Sequence, residues 1–109
     1  MSLEEADPVR VILTTAGRDK GPEIARHLVE KRLAACVNTS DVTSCYRWKG
    51  EFCCDQEVLL VIKTTLSHVR DALEEIRAIH PYELPEMIVL PVEGGYPPYL
   101  AWVREETAP

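Results

Sequence analysis

The sequence has no cluster of lysine and arginine. Its 12 basic residues are scattered among 18 acidic ones, and the net charge is −6. Nucleic acid and anionic membrane both reward clustered positive charge, so neither is an expected partner. Long hydrophobic runs are also missing: the longest wholly apolar stretch, Val58–Ile62, is too short to cross a bilayer. There is no G-x-S-x-G elbow, no P-loop and no glycine-rich phosphate cradle. A cysteine nucleophile needs a histidine or a helix N-terminus beside it, and the sequence places neither next to its cysteines. No enzymatic activity is therefore expected. The four cysteines, at 36, 45, 53 and 54, fit neither a paired C-x2-C zinc site nor a thioredoxin motif. In a reducing cytoplasm, the expected location, they are thiols by default. Repeats, linkers and low-complexity segments are absent too. Residues 1–8 are acidic, with no basic start or apolar core, and so do not form a signal peptide. They are expected to be a flexible leader to a single domain within 1–109.

What remains is an ordinary globular composition, 46% hydrophobic and 28% charged, with length for one modest core. Val9–Thr15 is short and rich in β-branched residues, as in a buried strand. Asp19 is placed to cap a helix with Pro22 in its first turn, and Ile24, Ala25, Leu28, Val29 and Leu33 recur at helical spacing. Residues 34–48 read as extended, Lys49-Gly50 as a turn, and Glu51–Thr65 as a second extended arm. Ser67 is a candidate cap for a second helix, in which Val69, Ala72, Leu73, Ile76 and Ile79 form one stripe. Met87–Val92 reads as a strand, Glu93–Pro98 as a turn and Tyr99–Glu106 as a last helix. The order predicts an α+β, ferredoxin-like βαββαβ fold with an extra C-terminal helix.

The central hairpin is too long for a monomer of this kind. Each arm is about twice the usual strand length of about 5–6 residues, and the outer strands are too short to cover it. The overhang leaves unpaired edges and a bare apolar face, which pairing with further copies would hide. Self-association is expected.

Five stretches, Lys31–Asn38 (KRLAACVN), Tyr46–Glu51 (YRWKGE), Ile62–Thr65 (IKTT), His80–Glu86 (HPYELPE) and Tyr99–Trp102 (YLAW), fall in order over residues 9–105. In these the chain resembles the CutA family of divalent-cation tolerance proteins. The resemblance implies a homotrimer whose hairpin arms pair between subunits, with divalent cations as further partners. It also implies a non-enzymatic role in divalent metal binding and tolerance, copper above all, and no required cofactor. Two alternatives stand beside it. One is a PII-like trimer binding small molecules in intersubunit clefts, although PII proteins carry a long loop where this chain has Lys49-Gly50. The other is a trimeric scaffold for a partner protein. An acylphosphatase-like enzyme would share the fold, but Gly17-Arg18-Asp19 lacks its phosphate-loop residues.

HPYELPE carries two readings. As structure, Pro81 stops the second helix at His80, Pro85 starts the strand, and Tyr82 and Leu84 pack between the prolines. As a site, His80, Glu83 and Glu86 supply one imidazole and two carboxylates, a donor set suited to Cu(II) or Zn(II). The family's copper binding carries over most directly to His80. Some members place a cysteine in the first strand, where this chain has Thr14.

A two-residue turn at Lys49-Gly50 puts Trp48 opposite Glu51 and Cys45 opposite Cys54, a non-hydrogen-bonded pair with Cα atoms roughly 4.5 Å apart. Two such thiols could hold a soft ion or oxidise, or serve as small apolar fillers as Cys36 does among its alanines. Tyr46, Trp48 and Trp102, with Lys63 as anion-binding group, are candidate walls of an intersubunit cleft, or interface core with a charged rim. His27 and His68 are assigned no role.

Overall fold

The computed structural model describes residues 7–109. Strand β1 (Val9–Ala16) leads through helix α1 (Lys20–Glu30) into the long arms β2 (Cys36–Trp48) and β3 (Glu51–Thr65). A 3-10 turn, Leu66–His68, precedes α2 (Val69–Ile79); β4 (Ile88–Pro91) and α3 (Pro97–Thr107) complete the chain. The sheet runs β2-β3-β1-β4 with every neighbouring pair antiparallel. This is the predicted ferredoxin-like order with its added helix.

Alternation along the strands decides what each face holds. On one face Ile12, Ala16, Val58, Leu60 and Ile62 meet Ile24 and Leu28 of α1 and Ala72 and Ile76 of α2 in the main core. Fully burying a side chain of this size contributes about 1.5–3 kcal/mol, so this layer supplies most of the protomer's stability. The approach is close at Gly21, where a Cβ would stand 3.1 Å from Val58 Cβ. On the other face α3 covers only one end, packing Val103 and Leu100 against Val9, Ala35 and Val92. The rest of that face is Val11, Leu13, Leu59 and Val61, half-buried, with Ile88 and Leu90 exposed by 45% and 40%.

The hairpin outruns its neighbours. β1 pairs with β3 only from Val58 to Thr65, so residues 51–57 have β2 as their sole strand partner. That is seven residues, about 23 Å at ~3.3 Å each, and the molecule measures 51 × 25 × 21 Å. The tip is a two-residue turn with φ 50° at Lys49 and 82° at Gly50. Positive φ at both positions is the type I′ geometry, whose twist matches the arms. The expected register follows: Trp48 faces Glu51 and Cys45 faces Cys54.

Several local expectations need correction. Asp19 holds the N-cap position of α1 in helical geometry and makes no side-chain capping bond. Ser67 lies in the 3-10 turn, and the helix proper starts at Val69. Its hydroxyl and amide instead donate to Asp7, at 2.8 and 3.0 Å. Leu66 N–H donates to Pro8 O at 2.8 Å. The last two residues of the expected leader are thus tied to the domain; the remainder of that leader lies outside the described residues. The last helix starts two residues earlier than expected, with prolines at 97 and 98 in its first turn, where a missing N–H costs nothing. Leu84 does not pack between the prolines; it is 71% exposed.

One missed contact ties the two core helices together. His27 shares a hydrogen bond with Glu75, which also takes Lys31 Nζ at 3.1 Å. These bonds, His27 first, hold the Glu75 carboxyl below its ordinary range.

Candidate functional site: the cleft under the hairpin overhang

Beyond the end of β1 the hairpin overhang is met by the connector between α2 and β4, residues 80–87. His80 fixes that connector. Its amide closes the last turn of α2 on Ile76 O at 2.8 Å, and its backbone then turns extended, as the following proline requires. The ring is buried, 4% exposed. Nε2–H donates to Thr15 O at 2.7 Å, and Nδ1 accepts Tyr82 N–H at 3.2 Å. The carbonyl can only accept and the amide can only donate, so the neutral Nε2–H tautomer is the one that fits. Both ring nitrogens are engaged, and Tyr82 lies edge-on at 4.5 Å between centroids.

Tyr82 then reaches the overhang, where its hydroxyl donates to Glu57 Oε2 at 2.7 Å. Burial first, and the Glu57 carboxylate second, push the phenol far above its usual range, so it stays a donor. Glu57 is 5% exposed, and among the described residues it enters no ion pair. Burying a carboxyl group with only a hydroxyl for a partner is costly, and a cation brought beside it would offset that cost.

The Glu57 carboxyl faces a cleft of ≈ 340 Å³ whose walls include Thr15, Ser44, Cys45, Tyr46, Tyr82 and Glu86. It continues into a wider groove of ≈ 520 Å³ bounded by Tyr46, Trp48, Asp55, Tyr82 and Glu83. Tyr46 donates to Asp55, and that bond, followed by burial, pushes its hydroxyl up to about 12. Glu57, Glu86, Asp55 and Glu83 therefore surround the space, and Lys49 lies over Trp48 at 5.6 Å and reaches Glu83 at 3.6 Å. That ion pair is exposed at both ends and contributes little.

His80, Glu83 and Glu86 do not converge on one point. Among the described residues no group of three His, Cys, Asp or Glu side chains is placed to hold a metal ion. The four expected cleft residues also divide. Tyr46 and Trp48 line the groove. Lys63 stands between Cys36 and Val11 in the ladders, and Trp102 stacks on Tyr99 at 5.6 Å on α3. Cys45 and Cys54 do come together, with Sγ atoms 3.2 Å apart.

Glu57 was not singled out by sequence reasoning, although a signal exists. Alternation puts it on the same face as Leu59 and Val61, directly before the apolar run, where an apolar residue is the default.

A family described as CutA1 divalent ion tolerance protein matches residues 9–106. A divalent-cation tolerance protein CutA from Thermus thermophilus is 46% identical over 98 residues, 89% of this chain and 95% of its own length. Mouse protein CutA is 57% identical over 86 residues, 78% of this chain and 49% of its own, so the chain spans about half of that relative. Among solved structures, CutA from Xylella fastidiosa superposes with a TM-score of 0.90 at 41% identity, covering 93% of this chain and 99% of that one. A PII-like protein CutA from Nostoc gives a TM-score of 0.88 at 39% identity, covering 91% and 97%.

Proposed function

Since the chain belongs to the CutA1 divalent ion tolerance family, we propose that it is a non-enzymatic, self-associating binding protein that takes divalent cations in the cleft under the hairpin overhang. The observation that supports this is Glu57, a buried carboxylate with no cationic partner among the described residues, open to a cleft that Glu86 also lines. A divalent cation supplies the missing compensation. The side-chain donors on this face of the sheet are oxygens: two carboxylates and the hydroxyls of Thr15, Ser44 and Tyr46, whereas Cys45, also in the lining, belongs by register to the opposite face. Oxygen sets favour Mg(II), Ca(II) or Mn(II), whereas copper and zinc favour nitrogen and sulfur. Two carboxylates per chain make an open site that water or a neighbouring subunit completes.

Titration with Mn(II), followed by the loss of free-ion electron resonance signal, tests this. Glu57→Gln keeps an acceptor for Tyr82 but removes the charge, and should weaken binding at least about tenfold, or 1.4 kcal/mol. Glu83→Gln, at an exposed position, should leave affinity unchanged. Equal affinity in wild type and Glu57→Gln would remove Glu57 from the site.

A second reading is favoured by the aromatic lining of the wider groove. Tyr46, Trp48 and Tyr82 suit a small organic cation or a planar ligand, as expected of a PII-like regulator. Native mass spectrometry of the freshly purified protein, with and without chelator, separates the two: a retained organic mass favours the regulator, and a chelator-sensitive metal mass favours the cation.

A further inference from the structure

The cleft chemistry leaves the two facing thiols unused. Cys45 and Cys54 are opposite residues of a ladder fixed on one side by the type I′ turn and on the other by nine further pairs. Three pairs out from the turn is a non-hydrogen-bonded position, where side chains approach most closely. Both residues are exposed and their sulfurs are already 3.2 Å apart. They project from the same side of the sheet as Leu60 and Ile62 but beyond the reach of α1 and α2. Their neighbours on that side are Thr43, Arg47, Phe52 and Gln56. The bare apolar surface expected to be covered on self-association is the opposite one. The remaining cysteines cannot substitute. Cys53 lies across from Tyr46 and Cys36 across from Lys63, both pointing to the other side of the sheet.

We propose that Cys45 and Cys54 form a dithiol–disulfide couple that exchanges with low-molecular-weight disulfides of the glutathione class. A Cys45 thiolate, its proton lost to solvent, attacks one sulfur of the small disulfide. A Cys45–small-thiol bond forms, and the first small thiolate leaves. Cys54, deprotonated in turn, attacks Cys45 Sγ and displaces the second. The cysteine pair loses two electrons and two protons in all, and one small disulfide becomes two small thiols. The order follows from the contact between them. The hydrogen bond to Cys45, first of all, raises the Cys54 thiol above its ordinary range, and the step is accordingly written with Cys45 as the attacking sulfur. The second step needs only a contraction along a line where the sulfurs already touch, with the backbone spacing that a disulfide accepts.

The test incubates the reduced full chain with oxidised glutathione under argon, with chelator present, and reads released thiol and peptide masses. Wild type should release two glutathione thiols per chain and form one intrachain Cys45–Cys54 link, reversed by dithiothreitol. Closure should be at least about tenfold faster than any modification of Cys36 or Cys53. Cys54→Ser should stop at glutathione on Cys45, releasing one thiol and not two. Cys45→Ser should form no intrachain link. Both variants change exposed positions, and an unaltered far-ultraviolet circular dichroism spectrum checks the fold. Persistent mixed disulfides in wild type, a link through Cys36 or Cys53, a link between chains, or thiols that bind Cu(I) yet ignore the disulfide would each overturn the proposal.

Discussion

A chain carrying Leu90→Asp should sediment near 12 kDa, where the unmodified protein is expected to sediment near three chains of 12.3 kDa, about 37 kDa. Leu90 is 40% exposed in the protomer, so an aspartate there costs the isolated chain little. Its surroundings give the change its effect. Leu90 shares the bare sheet face with Ile88, Val11, Leu13, Leu59 and Val61, and it lies on an edge strand with no outer neighbour. At the opposite end of the protomer the overhang presents a second free edge, residues 51–57 of β3. An edge that meets a different edge on the next copy makes a heterologous contact, which closes as a ring rather than as a twofold pair. Three copies are what the family resemblance implies. Losing Leu90 burial removes about 2 kcal/mol per copy, and burying a carboxylate in its place costs several more. With three copies in the ring, dissociation at micromolar concentration is the expected result. The unmodified protein should also melt at a temperature that rises with its concentration. A light-scattering mass of about 12 kDa for the unmodified protein would dispose of the assembly altogether.

His80→Ala should lower stability by about 2–4 kcal/mol while leaving cation affinity where it was. The substitution removes a buried ring and with it both bonds, leaving Thr15 O and Tyr82 N–H without these partners. Urea unfolding at fixed protein concentration would read the loss as a lower midpoint. His27→Ala, at a half-exposed ring, serves as the comparison and should cost clearly less. Were His80 a ligand instead, the pattern would invert: stability nearly unchanged and Cu(II) affinity reduced about tenfold or more. Titration calorimetry alongside the unfolding curves therefore decides the role of this residue.

How far the sequence foretold these features depends on the range of the interaction behind each. Turn chemistry is local. Lys49-Gly50 between two alternating arms was enough to place Cys45 opposite Cys54 across the strands. Periodicity is also local, and Ala72, Leu73, Ile76 and Ile79 pack on the core as their spacing predicts. The end of α2 at Ile79 follows from Pro81 alone. Long-range partners left no comparable trace. Tyr82 reads as a loop residue until the fold brings it to Glu57, 25 positions earlier in the chain. His80 reads as a helix stop with a ligand role left open, because its burial depends on Thr15 at the far end of β1. The cap expected of Ser67 was lost to competition, since Asp7 offers that residue a charged acceptor from outside the helix.

The long ladder has a kinetic consequence. Its thirteen pairs grow outward from a preformed turn, from Trp48–Glu51 to Cys36–Lys63, so each new pair closes almost no additional loop. Hairpins of this kind zip in about 1–10 μs, whereas subunit association takes milliseconds to minutes and slows on dilution. Refolding from urea should therefore show an early gain of strand signal independent of protein concentration, followed by a second-order phase. During that interval the face around Leu59, Val61 and Leu90 is open to any sticky neighbour. The protein's safest refolding condition is then a compromise, concentrated enough for chains to find their own kind quickly and dilute enough to keep unzipped strands apart.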